Sequence, residues 1–174
     1  MRLNAEQILL CCGLSFEMLQ VRDLSYSAAA QALKNGEIDA FFCTAGVPTN
    51  AVSALAREVP VRLLELNKGQ MERLVETYGG YIECTVPTDT YQGQTEPVTA
   101  AGVRAVLLAS DKMSADAVKA VAAGMFAQAE QLRFAVAADT SLTLETSGEG
   151  VTIPYHAGAA EFYRENGITV ETEG

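Results

Sequence analysis

Cys43, Thr44, Ala45 and Gly46 are the residues best placed for chemistry, because the chain changes from an apolar run to a helix around them. The stretch 39–49 reads Asp-Ala-Phe-Phe-Cys-Thr-Ala-Gly-Val-Pro-Thr. It begins as a strand pattern, breaks at small residues and restarts as a helix with Pro48 near its first turn. A helix N-terminus carries unpaired N–H groups and a partial positive charge, so small turn residues there let an anion approach the backbone. Thr44 adds a hydroxyl. Any tight strand–turn–helix unit has the same look, so the motif alone leaves a purely structural reading open. Cys43 offers a second chemistry, since a helix N-terminus lowers a thiol pKa. It belongs to the strand run Phe41-Phe42-Cys43, however, and no recognisable general base accompanies it.

Other reactive types form no motif. Cys11, Cys12, Cys43 and Cys84 show no C-x-x-C spacing and no histidine cluster, which argues against zinc and thioredoxin-type redox chemistry. Neither a metal nor a cofactor is expected. Four free thiols acting as small hydrophobes is the simplest reading. His156 is the single histidine. Without a nucleophile or metal partner it reads as a residue that caps or packs at the start of the last helix.

The elements that must position these residues alternate between strand and helix patterns. Helices are expected at Asn4–Cys12 (stopped by Gly13), from Ser25 or Ser27 to Leu33 (ended by Asn35-Gly36), at Pro48–Arg57, and around Met71, Leu74, Val75 and Tyr78 (closed by Gly79-Gly80). Strands are expected at Val21–Leu24, Ile38–Cys43, Val61–Leu66 and Tyr81–Val86, the last stopped by Pro87, and along the apolar segment Val98–Ala109. Thr88–Pro97 is a polar loop carrying Tyr91, Gly93 and Gln94. Ser114 and Asp116 open an alanine-rich helix to about Gln131. A loop rich in Thr, Ser, Gly and Glu at 139–150, a helix from His156 to Glu165 and a frayed acidic end at Glu171–Gly174 complete the chain. Such alternation predicts an α/β fold with a mostly parallel sheet flanked by helices.

With 174 residues, 49% of them hydrophobic, the chain has enough apolar material for one core or two small lobes. Lys and Arg number 12 against 22 Asp and Glu, for a net charge of −10. That balance argues against nucleic acid and anionic membrane surfaces as partners. No apolar run approaches the ~18 residues of a membrane span, and the first residues carry no recognisable signal peptide.

Five stretches in order resemble the TAXI-type extracytoplasmic solute-binding proteins of TRAP transporters. They are Leu33-Lys34-Asn35-Gly36-Glu37-Ile38-Asp39-Ala40-Phe41-Phe42; Thr44-Ala45-Gly46-Val47-Pro48-Thr49; Thr85-Val86-Pro87 with Thr90-Tyr91-Gln92-Gly93-Gln94; Gly102-Val103-Arg104-Ala105-Val106-Leu107-Leu108; and Ile153-Pro154-Tyr155-His156-Ala157-Gly158-Ala159-Ala160 with Tyr163. The resemblance implies a periplasmic-binding-protein-like (type II) lobe. Residues 1–97 would form the α/β ligand-binding lobe. Residues 98–174 would supply a crossover strand, a long helix and a C-terminal helix returning toward a first lobe. It also implies a periplasmic or extracytoplasmic receptor that captures a small anionic solute, such as glutamate or a related dicarboxylate, and delivers it to a TRAP membrane permease.

The implied ligand-binding residues are Thr44, Ala45 and Gly46 in the cleft loop, then Tyr91 and Gln94, which either supply a phenol and an amide to the solute or simply cap their loop, and Thr85, a ligand residue or just a residue of the adjoining strand. Family proteins are nearly twice as long, so the chain matches their C-terminal half, and Ala157 stands where proline often follows the histidine. Half a receptor exposes unpaired strand edges, from which a homodimer is expected. Competing expectations are a small α/β thiol enzyme using Cys43 and a vestigial lobe that binds no solute.

Overall fold

In a computed structural model of the chain, residues 1–135, 142–148 and 151–172 are described. The chain divides into two compact units, Met1–Gly102 and Val103–Gly174.

The first unit opens with α1 (Arg2–Cys11), which runs into Gly13 as the sequence indicates. A 3₁₀ turn at Phe16–Met18 follows, then α2 (Tyr26–Lys34), whose first turn is capped by Ser25 accepting from the Ala28 amide at 3.3 Å. Next come α3 (Asn50–Glu58) and α4 (Lys68–Tyr78). The apolar spacing that marks α4 begins only at Met71, yet the helix starts one turn earlier. Asn67 accepts from the Gln70 amide at 3.0 Å while the Gln70 side chain accepts from the Asn67 amide at 2.9 Å, a reciprocal capping box.

β1 (Tyr81–Val86) and β2 (Val98–Val103) form a two-stranded antiparallel sheet. The two strands lie close at Gly102. A Cβ there would sit 3.1 Å from Ile82 Cγ1 and 3.2 Å from Cys84 Sγ.

Two apolar clusters hold this unit together. Cys11, Met71, Leu74 and Tyr81 pack α1 and α4 onto β1. Val52, Ala56, Val86 and Tyr91 bind α3 to the sheet, with Phe41, Val61 and Leu63 packed against them.

The α/β character holds, but among the described residues the only sheet is the β1–β2 pair and the expected parallel sheet is not seen. Val21–Leu24, Ile38–Cys43 and Val61–Leu66 are irregular, and the apolar run from Val98 leaves the ladder after Val103. A ladder needs a neighbouring backbone to pair with, and apolar patterning supplies only the side-chain half of that requirement. Val61 and Leu63 satisfy it by side-chain packing alone. Arg22 and Asp23 instead spend their segment on ion pairs, Asp23 with Arg2 at 2.7 Å and Arg22 with Glu37 at 3.9 Å.

In the second unit, Ser114 caps α5 (Ala115–Ala127) by accepting from the Ala117 amide at 3.3 Å. The single long helix expected to Gln131 breaks at Gln128, and α6 (Ala129–Ala135) follows. Part of the expected 139–150 loop lies outside the described residues; residues 144–148 form turns.

α7 (Ala157–Glu165) packs along α5, joined by stacked Phe126 and Phe162 rings at 5.3 Å and by Lys119, which donates to Glu161 at 2.9 Å and Glu165 at 2.6 Å. The acidic end is tied down rather than frayed as far as Thr172. Tyr155 N donates to Glu171 O at 2.8 Å in a parallel bridge between Tyr155 and Thr172; residues 173–174 lie outside the described residues. Among the described residues no helix is long and apolar enough to cross a membrane.

Candidate functional site

The turn at Thr44–Thr49 is held from three sides. From α1, the Asn4 side chain donates to Thr44 Oγ1 at 3.3 Å. From the start of α2, the Tyr26 hydroxyl donates to the Thr44 carbonyl at 2.7 Å. From the loop after β1, Tyr91 receives the Thr49 amide on its hydroxyl at 2.9 Å. The turn closes on itself as well, since Thr49 Oγ1 donates to the Gly46 carbonyl at 2.7 Å. The Val47–Pro48 peptide is cis.

This bracing leaves donors over. Thr49 is the N-cap of α3, but its hydroxyl points its proton at Gly46 and caps no amide in the helix. Among the described residues the first-turn amides of Asn50, Ala51 and Val52 therefore have no side-chain acceptor, and the first turn holds no acidic residue. Thr44 Oγ1 accepts from Asn4 and so keeps its own proton to donate. Thr44, Ala45 and Gly46 are exposed to solvent. Several donors, the positive end of a helix and small exposed turn residues make a surface suited to a carboxylate.

Of the residues read from sequence, Thr44, Ala45, Gly46 and Tyr91 come together. Tyr91 is 6% exposed and packs among Val52, Ala56 and Val86, so its ring belongs to the core while its hydroxyl reaches the turn. Gln94 does different work. Its amide nitrogen donates to the carbonyls of Pro87 at 2.9 Å, Glu96 at 3.0 Å and Val86 at 3.3 Å, which braces the loop that carries Tyr91. Thr85 is exposed on β1 and joins neither group by a hydrogen bond among the described residues.

Asn4, Tyr26 and Thr49 complete the arrangement and escaped sequence reasoning. Only Thr49 carried a signal, as a hydroxyl residue just ahead of a helix. Asn4 and Tyr26 are brought in by tertiary packing.

Cys43 sits beside the turn, half-buried. Burial pushes its thiol above the usual cysteine range, and the neighbouring Thr49 side chain lowers it by less. A nucleophilic thiol needs the opposite displacement. His156 is the N-cap of α7: Nδ1 accepts from the Gly158 amide at 3.1 Å, which puts the proton on Nε2, facing the Met113 carbonyl at 3.2 Å. Both ring nitrogens are occupied structurally. Among the described residues no group of three or more His, Cys, Asp or Glu is placed to hold a metal ion.

A family model described as the NMT1-like family matches residues 1–167, almost the whole chain, and the protein belongs to that family. The family is periplasmic-solute-binding-like, which suggests a substrate-binding receptor role.

Proposed function

We propose that this NMT1-like chain is the TAXI-type receptor component of a TRAP transporter, or part of one, and that it binds a small anionic solute at the Thr44–Thr49 turn. The observation that carries the reading is the uncapped start of α3, whose Thr49 amide is fixed by Tyr91, while the cap residue's side chain bonds none of the next three amides and the Thr44 hydroxyl keeps its proton. A solute carboxylate seated there accepts from Asn50, Ala51 or Val52 and from Thr44, with the helix dipole favouring its charge. Exposed small residues at the turn let it reach the backbone. Glutamate and related dicarboxylates are the solute class proposed, and delivery to a TRAP permease outside the cytoplasm is the proposed physiological step. No bond is made or broken in this role, which fits a half-buried Cys43 whose thiol is pushed up rather than activated.

A thermal-shift titration with L-glutamate and short dicarboxylates tests this. Ligand at 100 times its Kd adds about 2.7 kcal/mol to stability, so a saturable rise in melting temperature is expected, with no rise for uncharged analogues of the same size. Equal response to charged and uncharged solutes, or no response to any, removes the proposal.

A further inference from the structure

α1 carries two apolar faces, and among the described residues only one of them is covered. Ala5, Ile8 and Cys11 turn inward, Cys11 and Ile8 against Met71 and Leu74 of α4. Leu3 and Leu10, two helical turns apart on the opposite side, are 62% and 49% exposed. The chain then folds back along the helix. Arg2 is ion-paired to Asp23 at 2.7 Å, and its guanidinium lies 4.9 Å over the Phe16 ring. The returning segment Phe16–Asp23 is thereby brought alongside the start of α1. Its own apolar residues are open too, Met18 at 67%, with Leu19 and Val21 exposed and Leu14 leading into them.

Summed, these six residues expose on the order of 500 Å², an amount comparable to the largest apolar patch of a monomer. Two such faces together bury about 1,000 Å², the lower bound for a specific interface. Charge selects the occupant. The chain carries −10, but residues 1–23 contribute only −1, from Arg2, Arg22, Glu6, Glu17 and Asp23. A second copy can therefore approach this face with little repulsion, and its mixed signs can pair in the self-complementary manner of a two-fold contact. An anionic membrane surface gains nothing from a face whose net charge is slightly negative.

We infer that the outer face of α1 with the returning segment Phe16–Val21 is a two-fold self-association surface that takes a second copy of this chain. The contact is modest in area, so its affinity is micromolar in class. It differs from pairing through open strand edges, because side chains and not backbone groups make it.

Sedimentation velocity from low micromolar concentration to about 1 mM tests it, on the whole chain. The expected result is a reversible shift from 18.5 kDa to twice that mass. Leu10→Glu and, separately, Met18→Lys raise the dissociation constant at least tenfold while far-UV circular dichroism stays unchanged. Leu108→Glu, at an exposed leucine outside this face (71%), leaves it unaltered. A monomer at all concentrations overturns the inference. So does a dimer that survives both variants and is lost in Leu108→Glu, which would assign association to the exposed apolar residues after β2.

Discussion

The α5–α7 pair and the Thr44–Thr49 turn both centre on the start of a helix, and they treat it in opposite ways. At α7 the first-turn amide of Gly158 is met by His156 Nδ1, the other ring nitrogen faces Met113, and the flanking surface is filled by Phe126, Phe162 and Tyr163. At α3 the cap residue turns its hydroxyl away, and among the described residues the first-turn amides have no side-chain partner. A helix start closed by its own protein is scaffold. One that is braced from outside yet left uncapped is suited to an external acceptor.

The largest way to break this contrast is at Gly158. A Cβ there would lie 2.1 Å from the Ala115 carbonyl oxygen, so α5 and α7 must move apart to admit it. Gly158→Ala is expected to cost about 3 kcal/mol or more, as overpacking against unyielding backbone does. The midpoint of urea unfolding followed by tyrosine fluorescence checks it, and the proposed solute response at the α3 turn is expected to persist wherever the protein remains folded. A smaller effect, about 1–2 kcal/mol, is expected from Tyr91→Phe, which leaves the Thr49 amide without its acceptor. This variant sharpens the comparison because it should also weaken the solute-induced thermal shift. His156→Ala, which uncaps α7, should cost about 1 kcal/mol and leave that shift intact.

The α3 turn was legible in sequence as a change of pattern at Thr44-Ala45-Gly46, because small residues and Pro48 leave few alternatives to a turn followed by a helix. Helix ends were legible for the same local reason: Ser25, Ser114, Gly13 and Gly79 act within one turn of their own position. The sheet was not. Val61-Arg62-Leu63 has strand-like patterning, but whether it joins a ladder depends on which backbone lies beside it, a long-range fact absent from the segment itself. Gln94 had two readings in sequence, ligand amide and loop cap. Its residue type fits a ligand amide equally well, and only the positions of the Val86, Pro87 and Glu96 carbonyls commit its nitrogen to the loop.

The smallest effect concerns pH and again belongs to the closed region. Glu161 is held below the usual carboxylate range by the hydrogen bond from Lys119, so its contribution is present above its unfolded pKa and is lost as pH falls through the lower, folded value. Lys119 is held above the usual lysine range by Glu165 and Glu161, so its share is present below its unfolded pKa and is lost as pH rises through the folded value. Both side chains are partly exposed, and salt screens the pair. A shallow stability plateau between the two limits is expected, flattened in Lys119→Met, as read from melting temperature against pH.

The central claim rests on the amides of Asn50, Ala51 and Val52. Their backbone resonances, followed by ¹⁵N–¹H NMR while L-glutamate or a short dicarboxylate is added, test it most directly. Saturable shifts are expected at these three amides and at Thr44, with the first turn of α7 unmoved. Shifts absent from Asn50–Val52, or no larger there than in α7, would contradict it.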